Sequence, residues 1–271
     1  MIKQAIIPLA GLGTRLLPLT SVFAKELLPI NGKPGIEYIL DECIDAGIKE
    51  VIFIISKKKE IIKKYFYNDL FYKKIIKKKN DSRVVKEYKK ILKYKKMIKF
   101  VYQNKPLGTG DAVLKTKKYI KNNFFLMILP DDLIINKNCS KSMIKIHKKY
   151  NSSVMASMQV NKSTVSRWGI YNLSKRLSKS DYLISDVVEK PSIKDAPSNK
   201  AVIGRYILPK TIFKKLKNQN SGNGGEIHIT DAIQSLIKDN ENFIAHNFSG
   251  KYLDCGTMNG YINSGKKISN L

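Results

Sequence analysis

Runs of consecutive apolar residues alternate, through the first half of the chain, with stretches whose apolar residues recur every three or four positions. The runs Ile2 to Leu9, Val51 to Ser56, Ile98 to Gln103 and Phe124 to Leu129 read as strands. Between them the spacing predicts helices from about Gly35 to Ala46, near Lys59 to Phe66, from about Asp111, and from about Ser140 to Tyr150. Unbroken apolar strands that alternate with helices imply an α/β fold, a largely parallel sheet flanked by helices, with ligands gathered at the strand C-termini.

Beyond Asn151 the pattern shortens to strand-like runs near Ser153 to Val160, Gly169 to Leu173, Leu183 to Glu189 and Ala201 to Leu208. These are expected to extend the sheet with antiparallel strands and to supply a second wall for substrate. The Lys-rich stretch Lys73 to Lys96 reads as an inserted helical excursion without obvious chemistry. With no internal repeat and no Gly/Ser linker, residues 1–271 are read as one composite domain, with halves of about 1–150 and 151–271.

A hydrophobic fraction of 43% excludes wholesale disorder, and a formal charge of +28 raises nucleic acid or an anionic membrane as partners. The makeup of that charge argues against both. Arginine occurs only at Arg15, Arg83, Arg167, Arg176 and Arg205, while lysine is abundant beside Ile, Asn and Tyr, as in AT-rich codon drift. Nucleic-acid readers favour arginine, and no recognition motif is visible, so neither nucleic acid nor membrane is expected as a partner. Cys43, Cys139 and Cys255 are widely spaced, which suits reduced thiols, and His147, His228 and His246 lack metal-ligand spacing. The apolar segment before Gly11 is too short for a secretory leader or a membrane span, so a soluble cytoplasmic protein is expected.

The first apolar run enters Gly11-Leu12-Gly13-Thr14-Arg15, followed by Lys25-Glu26-Leu27-Leu28-Pro29. Glycines let backbone N–H groups approach an anion, and Arg15 and Lys25 add charge where polyphosphate oxygens would lie. The spacing fits neither the Walker loop nor the dinucleotide fingerprint, since Leu16 stands where a third glycine is needed. A tight turn with an exposed arginine is the plainer alternative.

Four further strand ends carry polar groups. Pro130-Asp131-Asp132 follows a buried run, where hard oxygen ligands suit Mg²⁺ but a lone Asp is often a turn residue. Asp254 ends another short run and gains meaning if the fold brings it to Asp131. Glu189-Lys190-Pro191 is either a surface ion pair or a clamp for sugar hydroxyls and phosphate. Gln103 precedes the loop Leu107-Gly108-Thr109-Gly110-Asp111, where its amide could read a base edge and Gly108 could admit the base, or the glycines shape a turn. Asn223-Gly224-Gly225 leads into another helix, with Thr230 as a plausible cap.

Taken in order, Pro8 to Arg15, Lys25 to Pro29, Leu107 to Gly110, Leu129 to Asp132, Val188 to Pro191, Ala201-Val202-Ile203-Gly204-Arg205-Tyr206 and Asp254-Cys255-Gly256 resemble the bacterial UTP–glucose-1-phosphate uridylyltransferases across nearly the whole chain. The related thymidylyltransferases typically differ at Ala10-Gly11, near Leu107 and at Pro130-Asp131. The resemblance implies a Rossmann-like mixed sheet of the nucleotide-diphospho-sugar transferase type, and Mg²⁺-dependent transfer of uridylyl from UTP to glucose 1-phosphate. It implies that Ala10, Gly11, Gln103 and Gly108 hold uracil with Glu26 assisting, and that Gly13 and Thr14 belong to the nucleotide loop. Arg15 and Lys25 would hold the triphosphate, and Asp131 with Asp254 the metal. Gly169, Glu189, Lys190 and Gly204 would line the sugar-phosphate pocket, with Lys190 acting on the transferring phosphoryl. Thymidylyl or cytidylyl transfer, or a weakened nucleotide-sugar binding protein, are the alternatives. Asp111, Ala24 and Met258 depart from the residues usual there (His, Pro and Lys), and the chain stops soon after Tyr261, leaving little of a C-terminal helix and a homo-oligomer open.

Overall fold

The computed structural model describes residues 1–79, 81–220, 222 and 225–269; the turn expected at Asn223-Gly224 lies outside the described residues. Its elements run in order β1 (Gln4–Pro8), a small hairpin of β2 (Pro29–Ile30) and β3 (Lys33–Pro34), α1 (Gly35–Asp45), β4 (Glu50–Ile55), α2 (Glu60–Tyr67), α3 (Asp69–Lys79), α4 (Ser82–Lys95) and β5 (Ile98–Tyr102). Then follow α5 (Gly108–Leu114), β6 (Phe124–Ile128), β7 (Asp132–Ile135), α6 (Cys139–Tyr150), β8 (Ser153–Gln159), β9 (Gly169–Arg176), β10 (Asp181–Glu189) and β11 (Lys200–Pro209). The chain closes with α7 (Ile212–Asn218), α8 (Ile229–Lys238), β12 (Phe243–Asn247), β13 (Lys251–Asp254) and α9 (Met258–Ser269), so a C-terminal helix does form.

A nine-stranded sheet carries the fold in the order β5-β4-β1-β6-β11-β8-β12-β10-β9. The four strands from the first half are mutually parallel; β11 enters antiparallel between β6 and β8, and β9 and β10 form an antiparallel edge. The sheet therefore runs unbroken through both halves.

The apolar runs are continuous because neighbouring residues serve opposite faces. Ile7, Phe53 and Leu126 join the core under α1, α2, α4 and α6, whereas Ile6, Ile52, Ile54 and Met127 join the core under α5, α7 and α8. The expected Lys-rich excursion is two helices, α3 and α4. In α3 no residue is buried, and it rests on α4 through the stacked rings of Tyr72 and Tyr88. Among the described residues no helix is long and apolar enough to cross a membrane.

Beneath the C-terminal end of β6 lies a buried ion pair. Arg205 of β11 is fully buried; its Nε lies 3.1 Å from both carboxylate oxygens of Glu42 in α1, and its Nη2 donates to Oε2 at 2.8 Å. Nη1 donates to the carbonyls of Gly204 (3.0 Å) and Leu129 (3.3 Å). Glu42 also accepts from the backbone N–H and hydroxyl of Ser140 at the start of α6, so the pair joins α1, α6 and β11. A buried charge with one partner removed is strongly unfavourable. Arg205→Leu is expected to lose about 3–5 kcal/mol of unfolding free energy, read by urea denaturation; a loss under about 1 kcal/mol would show that the pair is dispensable.

Candidate active site

The parallel strands β1, β4 and β5 end side by side, which brings their following loops together. Leu9 N–H donates to Ile54 O at 2.7 Å and Gln103 N–H to Ile55 O at 2.9 Å, so Ala10-Gly11 and Gln103 flank the same edge. Gly11 is exposed, with no atom within 4 Å of where a Cβ would stand. Gly13 has φ 73° and its carbonyl accepts from Thr20 Oγ1 at 2.8 Å; Thr14 then opens a single 3-10 turn that carries Arg15.

At the end of β6 the chain turns through Pro130-Asp131. Asp131 Oδ2 receives Lys25 Nζ at 2.7 Å and Arg15 Nη2 at 3.3 Å, so both cations of the N-terminal loop converge on it. Burial, the largest influence, would raise the Asp131 carboxyl, but the charge and hydrogen bond of Lys25, joined by the charge of Arg15, together outweigh it and hold Asp131 below the usual carboxylate range. Burial pulls Lys25 down in turn, and Asp131 and Glu26 more than offset that, leaving it above an ordinary lysine. Asp132 behaves oppositely: burial, then the charge of Asp131, push it up to about 6. Its Oδ2 accepts from Gly204 N–H at 2.8 Å and its Oδ1 from Tyr252 Oη at 2.6 Å.

Asp254 reaches this turn through strand register. The antiparallel pair β13 and β7 sets Asp254 opposite Asp132, and Cys255 N–H donates to Asp131 O at 2.8 Å. Asp254 is braced by Gly256 N–H (2.8 Å) and Thr257 Oγ1 (3.0 Å). Asp131 and Asp254 line one cavity of about 280 Å³, together with Arg15, Gly169, Glu189 and Gly204. Two hard carboxylates open to one cavity suit a cation such as Mg²⁺, which takes one or two protein carboxylates and completes its shell with phosphate and water. Among the described residues no group of three or more His, Cys, Asp or Glu could hold a metal ion, so a cation here would draw on that pair and its ligands.

The opposite wall comes from the second half. Gly169 pairs with Glu189 across β9 and β10, and Lys190 N–H donates to Trp168 O at 3.0 Å. Lys190 has φ 46°, a left-handed conformation uncommon for a lysine, and its side chain is exposed rather than among the groups lining the cavity. Gly204 lies at a register shift between β11 and β8, and a Cβ there would stand 2.5 Å from Leu129 Cβ and 2.6 Å from Asp132 Oδ2, in the segment that follows β6.

The structure gives Glu26 and Gly108 partners that the sequence did not mark, and moves Thr230. Glu26, expected beside the base, is buried and gives both carboxylate oxygens to Lys59 Nζ, at 2.7 and 2.8 Å. Lys59 is lowered by burial despite that partner. Gly108, expected to admit a base, has φ 93°, and on the side of its missing Cβ it packs against the Ile227 carbonyl at 2.6 Å. Thr230 is not the cap of α8, whose capping position is His228; it lies in the first turn and lines the cavity. Arg167, Trp168, Tyr206 and Tyr252 also line it. Tyr206 sat within a quoted motif without a role, and nothing in the spacing marked Arg167, Trp168 or Tyr252.

The family model described as Nucleotidyl transferase matches residues 4–270. Among curated relatives, a UTP–glucose-1-phosphate uridylyltransferase of Mycoplasma pneumoniae is 36% identical, over 96% of this chain and 90% of its own. UTP–glucose-1-phosphate uridylyltransferase 2 of Streptococcus pyogenes serotype M1 is 37% identical over 96% of this chain and 88% of its own. Among solved structures, a UDP-glucose pyrophosphorylase complexed with UDP-glucose superposes with TM-score 0.87 at 36% identity, covering 100% of this chain and 99% of that one. The UTP-bound UGPase from Acinetobacter baumannii gives TM-score 0.89 at 31% identity, over 99% and 93%.

The tight contact at Gly204 carries its own test. Gly204→Ala is expected to destabilise the fold by about 1–3 kcal/mol, the range for overpacking, measured by urea denaturation; unchanged stability would mean that the turn of Leu129 to Asp132 can retreat from β11 without strain.

Proposed function

The chain belongs to the nucleotidyl transferase family, and we propose that its cleft transfers the uridylyl group of UTP to glucose 1-phosphate, giving UDP-glucose and pyrophosphate. The observation that carries this is the full-length likeness to relatives so named and to a structure that holds UDP-glucose. The geometry supports it: a glycine loop with two cations on one side, a wall of β9, β10 and β11 on the other, and two carboxylates between them.

The reaction is an in-line attack by a phosphate oxygen of glucose 1-phosphate on the α-phosphorus of UTP, with pyrophosphate leaving. No covalent nucleophile is needed. The two substrates are both strongly anionic, so catalysis rests on holding them in line and neutralising charge. Arg15 and Lys25 bind the triphosphate on the leaving-group side, where Arg15 is largely exposed and Lys25 is already oriented by Asp131. Gly11 leaves open space at the edge where the nucleoside lies. Glu26 acts at one remove, fixing Lys59 and the turn that carries Lys25. Glu189 accepts from sugar hydroxyls, with Gly169 and Gly204 shaping the wall beside it. Lys190, held in its left-handed turn, neutralises the phosphoryl group in transit; strained backbone of this kind gathers at functional sites. Members of this family generally use a divalent metal; Mg²⁺ held by Asp131 and Asp254 would supply further neutralisation of phosphate charge.

Three outcomes are expected. Pyrophosphate release, followed across four nucleoside triphosphates and a panel of sugar 1-phosphates with Mg²⁺, should be fastest for UTP with glucose 1-phosphate; if dTTP or CTP outran UTP the assignment would be wrong. Lys190→Ala should lose about 3–4 kcal/mol of transition-state stabilisation at saturating substrates, and near-normal turnover would remove Lys190 from the chemistry. Asp254→Asn should raise the Mg²⁺ concentration needed for half-maximal rate, and an unchanged requirement would remove Asp254 as a ligand.

A further inference from the structure

The amide of Gln103 is surrounded on one side by acceptors only. Its Nε2 donates to Asp111 Oδ2 at 2.8 Å and to Gly108 O at 3.0 Å. A backbone carbonyl cannot donate, and neither can a carboxylate, which here is also paired through its other oxygen with Lys115 Nζ at 3.3 Å. Rotating the amide by half a turn would set its oxygen against two acceptors. The nitrogen must therefore face Asp111 and Gly108, and the oxygen must face away from them.

Both members of this contact are buried, at 5% exposure each, so water does not substitute readily for either. Asp111 stands in the first turn of α5, where a negative charge is favoured. Its backbone is fixed by the packing of Gly108 and Gly110 on Ile227, including Gly110 N–H to Ile227 O at 2.7 Å. Gln103 itself follows β5 at the same sheet edge as Ala10-Gly11. Among the described residues neither of its hydrogen bonds uses the amide oxygen.

We infer that Asp111 is a positioning residue for base selection: it locks the Gln103 amide so that only a hydrogen-bond acceptor is offered to the pyrimidine. The inference rests on the proposed use of UTP. Uracil carries one donor on its pairing edge, N3–H, between two carbonyl acceptors, and a fixed acceptor meets that donor. Cytosine in the same pose sets the N3 lone pair against the Gln103 oxygen. Thymine has the same edge as uracil, so the lock does not sense its 5-methyl group. An asparagine at position 111 could accept from Gln103 or donate to it, so that turning the amide over would forfeit only the bond to Gly108 O, and cytosine would be better tolerated.

The test compares kcat/KM for UTP, CTP and dTTP, with glucose 1-phosphate and Mg²⁺, in the full chain and in Asp111→Asn. The UTP-to-CTP ratio should fall about 10- to 100-fold, part of the penalty for leaving buried polar groups mismatched, while the UTP-to-dTTP ratio stays unchanged. Asp111→Glu keeps an acceptor-only group and should retain the UTP-to-CTP ratio even if its rate falls, so a loss of folding in the Asn variant does not remove the test. An unchanged UTP-to-CTP ratio in Asp111→Asn, or a fall in both ratios together, would overturn the inference. A wild-type chain that fails to turn over UTP would instead overturn the proposed function.

Discussion

The guanidinium of Arg205, buried against Glu42, fixes the floor on which the charged groups of the cleft stand. All three of its nitrogens are engaged, two by the carboxylate and one by the carbonyls of Leu129 and Gly204. Leu129 N–H returns a bond to Gly204 O, and Gly204 N–H reaches Asp132, so the turn carrying Asp131 is tied to β11 on successive residues. A buried ion pair of this kind adds little net stability over an apolar substitute, but it tolerates few geometries. Here that intolerance serves position: Asp131 can meet Lys25 and Arg15 only if the turn beneath it does not shift.

Asp131 in turn collects segments that are distant in the chain. Arg15 and Lys25 come from the first loop, Asp131 from the end of β6, and Cys255 from the end of β13. The parallel half of the sheet supplies the edge that carries Ala10-Gly11 and Gln103, and β9 and β10 of the antiparallel half line the cavity through Gly169 and Glu189. Because β11 is hydrogen-bonded between β6 and β8, the two walls share one backbone network.

The parallel half was the more legible in sequence, because strands buried on both faces leave runs such as Phe124 to Ile128 that no helix period explains. The late strands β12 and β13 are only five and four residues long, and their place depends on partners far away in the chain. Asp254 illustrates the limit: its motif marked it, but only its register opposite Asp132 brings it to the cleft. Glu26 and Gly108 were marked for roles at the base, and their partners, Lys59 and Ile227, carry no motif that would have revealed them. Asp111 stood out as a departure from the related pattern, yet its meaning lies in a hydrogen bond to a residue eight positions away.

The pairing of Lys25 and Arg15 with an internal carboxylate changes how dissolved ions act on the cleft. On the proposed function, a phosphate entering here would exchange with Asp131 rather than fill a bare cationic hole, and the lysine it met would already be aligned. Lys25 is 15% exposed and Arg15 66%, so bulk counter-ions screen the two unequally. Ionic strength therefore acts on the cleft mainly through Arg15, while the grip of Lys25 is set by competition between two anions for one ammonium.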